Sequence, residues 1–278
     1  MRPTRIREHQ LADSVLRVAE RETHPRCARF SRGLYGYEER SPGALARSEF
    51  ANANVVMILE IGPPLRVSNS ERAARHAGGF VAGIHDGPTR TEHEGYQAGV
   101  QLNLPPLAAR LLFDAPLSEI AHRSVSATDV LPRSKREVVS RLGELSTWEA
   151  RLDAVEGLLA TASEAHKPAG FAELAWAIDR IEQTAGGVRV RALARELGWS
   201  ERRLQRSFAE HIGVAPKLYA RLVRFEALMA RVRRSGDASW AGAALALGYF
   251  DQSHLVRDVQ QFAGVTPSAA ESHLLPLE

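Results

Sequence analysis

Leu193-Ala-Arg-Glu-Leu-Gly-Trp-Ser-Glu-Arg-Arg-Leu-Gln-Arg-Ser-Phe-Ala-Glu-His-Ile-Gly-Val-Ala-Pro216 is answered further along the chain by Ala243-Ala-Leu-Ala-Leu-Gly-Tyr-Phe-Asp-Gln-Ser-His-Leu-Val-Arg-Asp-Val-Gln-Gln-Phe-Ala-Gly-Val-Thr-Pro267. Gly198 and Gly248 align 50 residues apart, whereas Leu204/Leu255, Arg206/Arg257, Gly213/Gly264 and Pro216/Pro267 align at 51, so the second copy has gained one residue in its turn. Each copy reads as an Ala-rich helix, a turn opened by Gly, a second helix with a polar outer face, and Gly-Val-x-Pro. That order is a helix-turn-helix, and a duplicated one can occupy two neighbouring segments of a major groove.

Helical spacing divides the two faces of each second helix. Leu204, Phe208 and Ile212 fall at i, i+4 and i+8 and make an inward stripe, leaving Arg202, Gln205 and Arg206 together outside. Arg makes two-pronged contacts to guanine O6 and N7, and Gln to adenine N6 and N7, edges that only the major groove presents. In the second copy Leu255, Val259 and Phe262 point in, with Ser253, Val256, Arg257 and Gln260 outside. Ser200 and Asp251 stand where a helix N-cap belongs. The residues expected to meet DNA are Ser200, Arg202, Arg203, Gln205 and Arg206 from the first unit and Gln252, Ser253, His254 and Arg257 from the second. Arg224 and Arg231, on the intervening helix around Pro216–Arg234, are expected to meet phosphate.

This region resembles the AraC/XylS family of transcription regulators. The likeness covers about residues 171 to 273 and includes the stretch Leu247-Gly-Tyr-Phe-Asp-Gln-Ser-His-Leu-x-Arg257. The family usually has larger helix-favouring residues before the second turn. Gly242 and Ala243 depart from that pattern, and an interior Gly costs about 1 kcal/mol relative to Ala. The resemblance implies a DNA-binding regulator whose other half senses or dimerises.

Charge is distributed unevenly. The chain of 278 residues carries a formal +3, yet Arg189 to Arg234 holds twelve Lys or Arg against four Glu, and Ser235 to Glu278 holds one Arg against five acids. Neutralising phosphate supplies most sequence-independent affinity for DNA, so the first unit and the intervening helix are expected to anchor the complex. An apolar fraction of 44% with 25% charged residues is that of an ordinary globular chain. No apolar run is long enough for a transmembrane helix, the start lacks a signal-peptide core, and Cys27 alone allows no intrachain disulfide. A bacterial cytoplasmic location is the expectation.

Upstream the pattern becomes β. Segments around Phe30–Tyr37, Asn54–Ile61, Gly79–Ile84 and Gly95–Leu104 are apolar or β-branched and are punctuated by Pro63-Pro64, Asp86-Gly87-Pro88 and Pro105-Pro106. Helical signals follow over Leu107–Phe113, roughly Ser134–Gly143, and Thr147–Ala165. The fold class is therefore α+β, a β-rich jelly-roll domain followed by an all-α domain. Residues 1–24 are expected to be an N-terminal helical segment, 25–165 the β-rich regulatory or dimerisation domain, 166–170 a linker, and 171–278 the DNA-binding domain. Its two units are expected at about 190–212 and 239–263. The motifs Gly36-Tyr-Glu-Glu39, Phe80-Val-Ala-Gly-Ile-His-Asp86, Glu92-His93 and Val100-Gln-Leu-Asn-Leu104 resemble a cupin-like domain found in AraC-like regulators, which implies an effector or dimerisation role.

His85, Asp86, Glu92, His93 and Glu94 invite a metal reading, but the His-x-His pair with a later Glu is missing, and no metal, cofactor or catalytic residue is expected. Cys27 is read as a packed residue rather than a sensing thiol. The expected partners are double-stranded DNA, a small-molecule effector of unknown identity, RNA polymerase if the chain activates, and a second copy; the Trp148, Leu152, Val155, Leu158, Leu159 and Ala162 stripe serves either to cover the barrel or, as the family resemblance implies, as the dimer contact. No membrane is expected. The competing reading is a cupin-type metalloenzyme fused to a DNA-binding tether.

Overall fold

The computed structural model describes residues 2–69, 72–162, 164–235 and 240–272. The expected start of the second unit at 239 and the tail 273–278 lie outside them. The N-terminal half contains β1 (Arg5–Gln10), β2 (Val15–Glu20), α1 (Pro25–Ala28), β3 (Gly33–Glu49), β4 (Val55–Glu60), β5 (Arg66–Ser68), β6 (Ala73–Arg75), β7 (Gly79–Ala82) and β8 (Thr89–Leu104). It continues through α2 (Pro106–Leu112), a 3-10 turn at Leu117–Glu119, β9 (Ser124–Ser126), α3 (Ala127–Val130), α4 (Glu137–Arg141) and α5 (Trp148–Ala162). All pairings are antiparallel, in the order β1-β2-β3-β8-β4-β7-β9, with β5 joining the early part of β8 and β6 joining β5.

The sequence expectation of a helical segment over residues 1–24 is corrected by this hairpin. Val15, Val18 and Leu16 are residues that fit a pleated surface, and β2 finds the free edge of β3, with Val18 opposite Tyr37. Pairing between residues far apart in sequence overrides local helix preference. β3 likewise runs beyond its expected end. Ser41-Pro-Gly43 forms an irregularity between Arg40 and Ala44, after which the strand pairs again with β8.

The sheet has two apolar faces. Met57, Leu59, Val100, Leu102 and Leu104 pack under α2 and α5, whereas Tyr37, Ile58, Val67 and Phe80 form a second cluster on the other side. Leu152, Val155, Leu158, Leu159 and Ala162, the stripe offered above for a second copy, are buried on α5 as it covers the sheet.

Polar groups accompany the second cluster. Glu39 is 1% exposed; Ser14 Oγ donates to its Oε1 and Gln97 Nε2 to its Oε2, each at 2.6 Å, and Arg47 pairs with it. Burial opposes charge on Glu39, but these donors outweigh it and hold the carboxyl below the usual range. Glu60 is different. Its Oε1 accepts from Leu65 N at 2.8 Å, its Oε2 is buried without a partner, and burial pushes its pKa up to about 7.

A carboxyl whose folded pKa is raised favours the folded state only while protonated, so its contribution is complete below about pH 4.5 and is lost as pH rises through about 7. Glu60→Gln keeps the acceptor and removes the ionisation. We expect the variant to gain roughly 2 kcal/mol relative to wild type between pH 5 and pH 8. Denaturant titrations at the two pH values would read this, and parallel curves for the two proteins would reject it.

The C-terminal half is helical: α6 (Phe171–Gln183), α7 (Val190–Glu196), α8 (Glu201–Ile212), α9 (Pro216–Ser235), α10 (Trp240–Ala246), α11 (Gln252–Ala263) and α12 (Pro267–Ser272). It packs directly on the N-terminal half. Ala51 N donates to Phe262 O at 2.9 Å, Ala53 N to Glu226 Oε1 at 2.9 Å, and Arg32 Nη2 to both oxygens of Glu182 at 2.6 Å. Phe50 meets Phe225 with ring centroids 6.2 Å apart, and one apolar cluster is continuous across both halves.

Candidate nucleic-acid interface

Local chemistry sets the ends of both recognition helices. Ser200 Oγ accepts from Arg203 N at 3.2 Å, and Asp251 Oδ1 accepts from His254 N at 2.6 Å, so each side chain satisfies a backbone donor at a helix start. The helices stop at Gly213 and Gly264, whose φ values of 90° and 73° lie in the left-handed region. These two glycines also allow close approach to the N-terminal half. A Cβ at Gly213 would stand 2.9 Å from Leu117 O, and one at Gly264 2.9 Å from Pro88 Cγ. Both recognition helices therefore rest their C-terminal ends against the β-rich half.

The inward stripes pack fully. Leu204, Phe208 and Ile212 are 0%, 0% and 1% exposed, and Leu255, Val259 and Phe262 are all 0% exposed. On α8 the outer residues Arg202, Gln205 and Arg206 are exposed together, as their spacing predicts. Arg203 is exposed too, but its guanidinium lies 4.1 Å from the centroid of the Trp199 ring, which holds it beside the turn. On α11 Gln252, Ser253 and Arg257 are exposed and, with Val256, line one shallow depression. His254 turns the other way: its ring meets Tyr249 edge-on at 5.2 Å and comes within 3.9 Å of Asp258.

The arginines of α9 divide into two groups. Arg221 Nη2 donates to Asp258 Oδ1 and to Gln261 Oε1, each at 2.7 Å, and so ties α9 to α11. Arg224 Nη2 donates to Gly186 O at 2.6 Å, and its guanidinium lies 5.4 Å from the Tyr249 ring centroid. Both side chains hold the domain together. Arg231, Arg233 and Arg234 are exposed at the far end of the helix. Arg189, Arg191 and Arg195, at and on α7, are exposed as well; the sequence count of charge included them, but helical spacing on so short a helix does not single them out.

The residues weighed as a metal cluster diverge. On β8, Glu92 pairs with Arg66 and Arg90 and Glu94 with Arg75, all on the outer face, while His93 is 4% exposed and lies 3.5 Å from Glu39. Asp86 meets His122 at 3.2 Å, and burial, helped by His122, lowers the pKa of His85 to about 4. Among the described residues no three His, Cys, Asp or Glu side chains converge to hold an ion. Cys27 is buried, and burial raises its thiol pKa. Among the described residues no helix is long and apolar enough to cross a membrane.

A family model described as a helix-turn-helix domain matches residues 193–272. No curated protein matches the chain in sequence. Among solved structures, ToxT from Vibrio cholerae superimposes with a TM-score of 0.50 at 9% identity, covering 84% of this chain and 99% of that one, which places both in the same two-domain fold. A further ToxT structure, bound to an unsaturated fatty acid, gives a TM-score of 0.45 at 9% identity over 85% of this chain and 97% of that one. The AraC-like transcriptional activator CuxR gives 0.26 at 17% identity over 89% and 86%.

Proposed function

We propose that the chain, a DNA-binding transcription regulator through its helix-turn-helix domain, is of the AraC type and reads two adjacent major-groove segments, through α8 and α11, under the control of its N-terminal half. The carrying observation is that both recognition helices present polar outer faces to solvent while their stripes and C-terminal ends are buried. Arg202, Gln205 and Arg206 read bases from α8, with Ser200 and Arg203 beside them at the turn. Gln252, Ser253 and Arg257 read from α11, and His254 supports that helix from behind.

Helices entering successive grooves on one face of B-DNA have centres about 34 Å apart, roughly 10 bp. Methylation interference with the full-length protein on a site selected from random duplexes is expected to reveal two base clusters about one turn apart, the α8 cluster being the more stringent. A single cluster would refute reading by the second unit.

The N-terminal half takes the regulatory role through its contacts with α8, α9 and α11. A small-molecule effector is supported by the inward polar groups of the sheet: Tyr37 Oη, Glu60 Oε2 and His93 Nδ1 are buried without hydrogen-bond partners, while His93 Nε2 faces Glu39 at 3.5 Å, and unmet buried donors and acceptors are what a polar ligand satisfies. ToxT has been solved with a fatty acid bound. Thermal-shift screening against small polar compounds tests this; no stabilisation across a broad set would argue against it. The metalloenzyme reading lacks a converging ligand set among the described residues, and we propose that the chain has no catalytic activity. Its DNA partner places its work in the cytoplasm. RNA polymerase is its partner if the chain activates.

A further inference from the structure

The structure identifies the residue that the second copy has gained. In the first unit the turn runs Gly198-Trp199-Ser200 and in the second Gly248-Tyr249-Phe250-Asp251. Trp199 and Tyr249 are counterparts. Each is buried, and their backbone N–H groups donate to Ala194 O at 2.9 Å and Ala244 O at 3.0 Å, carbonyls at equivalent places in α7 and α10. The caps Ser200 and Asp251 are counterparts too. Phe250 is therefore the addition, and at 92% exposure it is the most exposed large apolar side chain among the described residues.

Its place gives that exposure a use. Phe250 immediately precedes the N-cap of α11, the end of a recognition helix that approaches base edges, and the face formed by the exposed Gln252, Ser253 and Arg257 with the half-buried Val256 follows within two turns. The second unit is also poorer in cations: Arg195 of the first copy is replaced by the exposed Leu245, and Asp251 adds a negative charge at the cap. Electrostatic attraction is thus weakest where an aromatic ring is offered to the groove. The apolar feature a major groove displays is the C5-methyl group of thymine, which Phe side chains contact.

We propose that Phe250 is a specificity-determining residue, its ring packing against a thymine methyl in the cluster read by α11. This rests on the reading that the second unit faces bases. Substituting uracil for thymine removes that methyl and nothing else, so the test uses full-length protein on a selected site, with each thymine of the second cluster replaced in turn. At one position, uracil is expected to weaken wild type about five-fold, the scale of one buried methyl group. Phe250→Ala is expected to bind the thymine site about as weakly and to be indifferent to uracil there, with Phe250→Leu intermediate. Because the ring is exposed, the melting temperature of these variants should match wild type.

Arg257→Ala separates the two claims. If it lowers affinity while uracil is tolerated at every position of the second cluster, or if no thymine is fixed there, Phe250 does not read DNA and the proposal falls. Reduced activation with unaltered DNA binding in Phe250→Ala would assign the ring to a protein partner, and also overturns it. If Arg257→Ala changes nothing either, the two-groove reading fails and takes the proposal with it.

Discussion

Replacing Arg202, Gln205 and Arg206 together by Ala is expected to lower affinity for a selected site by at least about 10³-fold, to the level of non-specific binding. Each side chain is exposed on one face of α8, and none belongs to the stripe of Leu204, Phe208 and Ile212 that anchors the helix, so folding should be unaffected. Arg206→Ala alone should cost about 1 to 3 kcal/mol and relax the preference at one base position. Phosphate contacts behave differently. If the exposed far end of α9 meets phosphate, Arg231→Ala or Arg233→Ala should weaken binding to all sequences alike and reduce the salt slope by about 1. Arg224→Ala should leave that slope in place and instead lower stability by about 1 to 3 kcal/mol, since it removes the donor to Gly186 O. Binding isotherms at several salt concentrations, together with melting curves, separate these outcomes. If the triple variant kept its sequence preference, α8 would not be a reading helix.

The contrast between Arg206 and Arg224 shows where the sequence was legible. Everything that shapes α8 lies within a few residues of it: a capping Ser, an i, i+4, i+8 stripe and a closing Gly. Local periodicity therefore locates the helix and its outer face. What an arginine on α9 does depends on partners far away. Arg221 and Arg224 sit among exposed-looking residues, but Asp258 and Gln261 of α11 and the Gly186 carbonyl between α6 and α7 engage them from 37 to 40 residues away. His254 is held by near partners instead: the Tyr249 ring and the Asp258 carboxylate, five and four residues away, draw it inward.

The β-rich half was less legible because its decisive contacts are non-local. The four long strand segments carried enough apolar and β-branched residues to stand out. β1 and β2 did not, because what stabilises them is the edge of β3. β3 runs past its expected end at Tyr37 because β8 resumes the pairing beyond the Pro-Gly pair at 42 and 43.

Phe225→Ala is expected to lower stability by about 3 to 5 kcal/mol, the range for removing a buried aromatic ring. The consequence should extend beyond the helix that carries it. Phe225 is 1% exposed and touches Phe50 of the N-terminal half and, at 5.4 Å between ring centroids, Phe262 of α11. One side chain thus supports the second recognition helix and joins it to the regulatory half. The neighbouring Glu226 accepts from Ala53 N and Asn54 Nδ2 across the same boundary, so polar and apolar contacts coincide there. Such a boundary makes the two halves unfold together. Calorimetry of wild type should show one transition, and Phe225→Ala should lower its midpoint by roughly 10 °C and broaden or split it as the halves uncouple. Two separate transitions already present in wild type, or a variant melting at the wild-type temperature, would show that the boundary does not couple them. Coupling of this kind is also what allows a change in the β-rich half to reach DNA. Ala51 donates to the carbonyl of Phe262, near the C-terminal end of the helix whose other end is proposed to read bases. A shift of that loop therefore acts on α11 as a rigid lever rather than through its individual side chains.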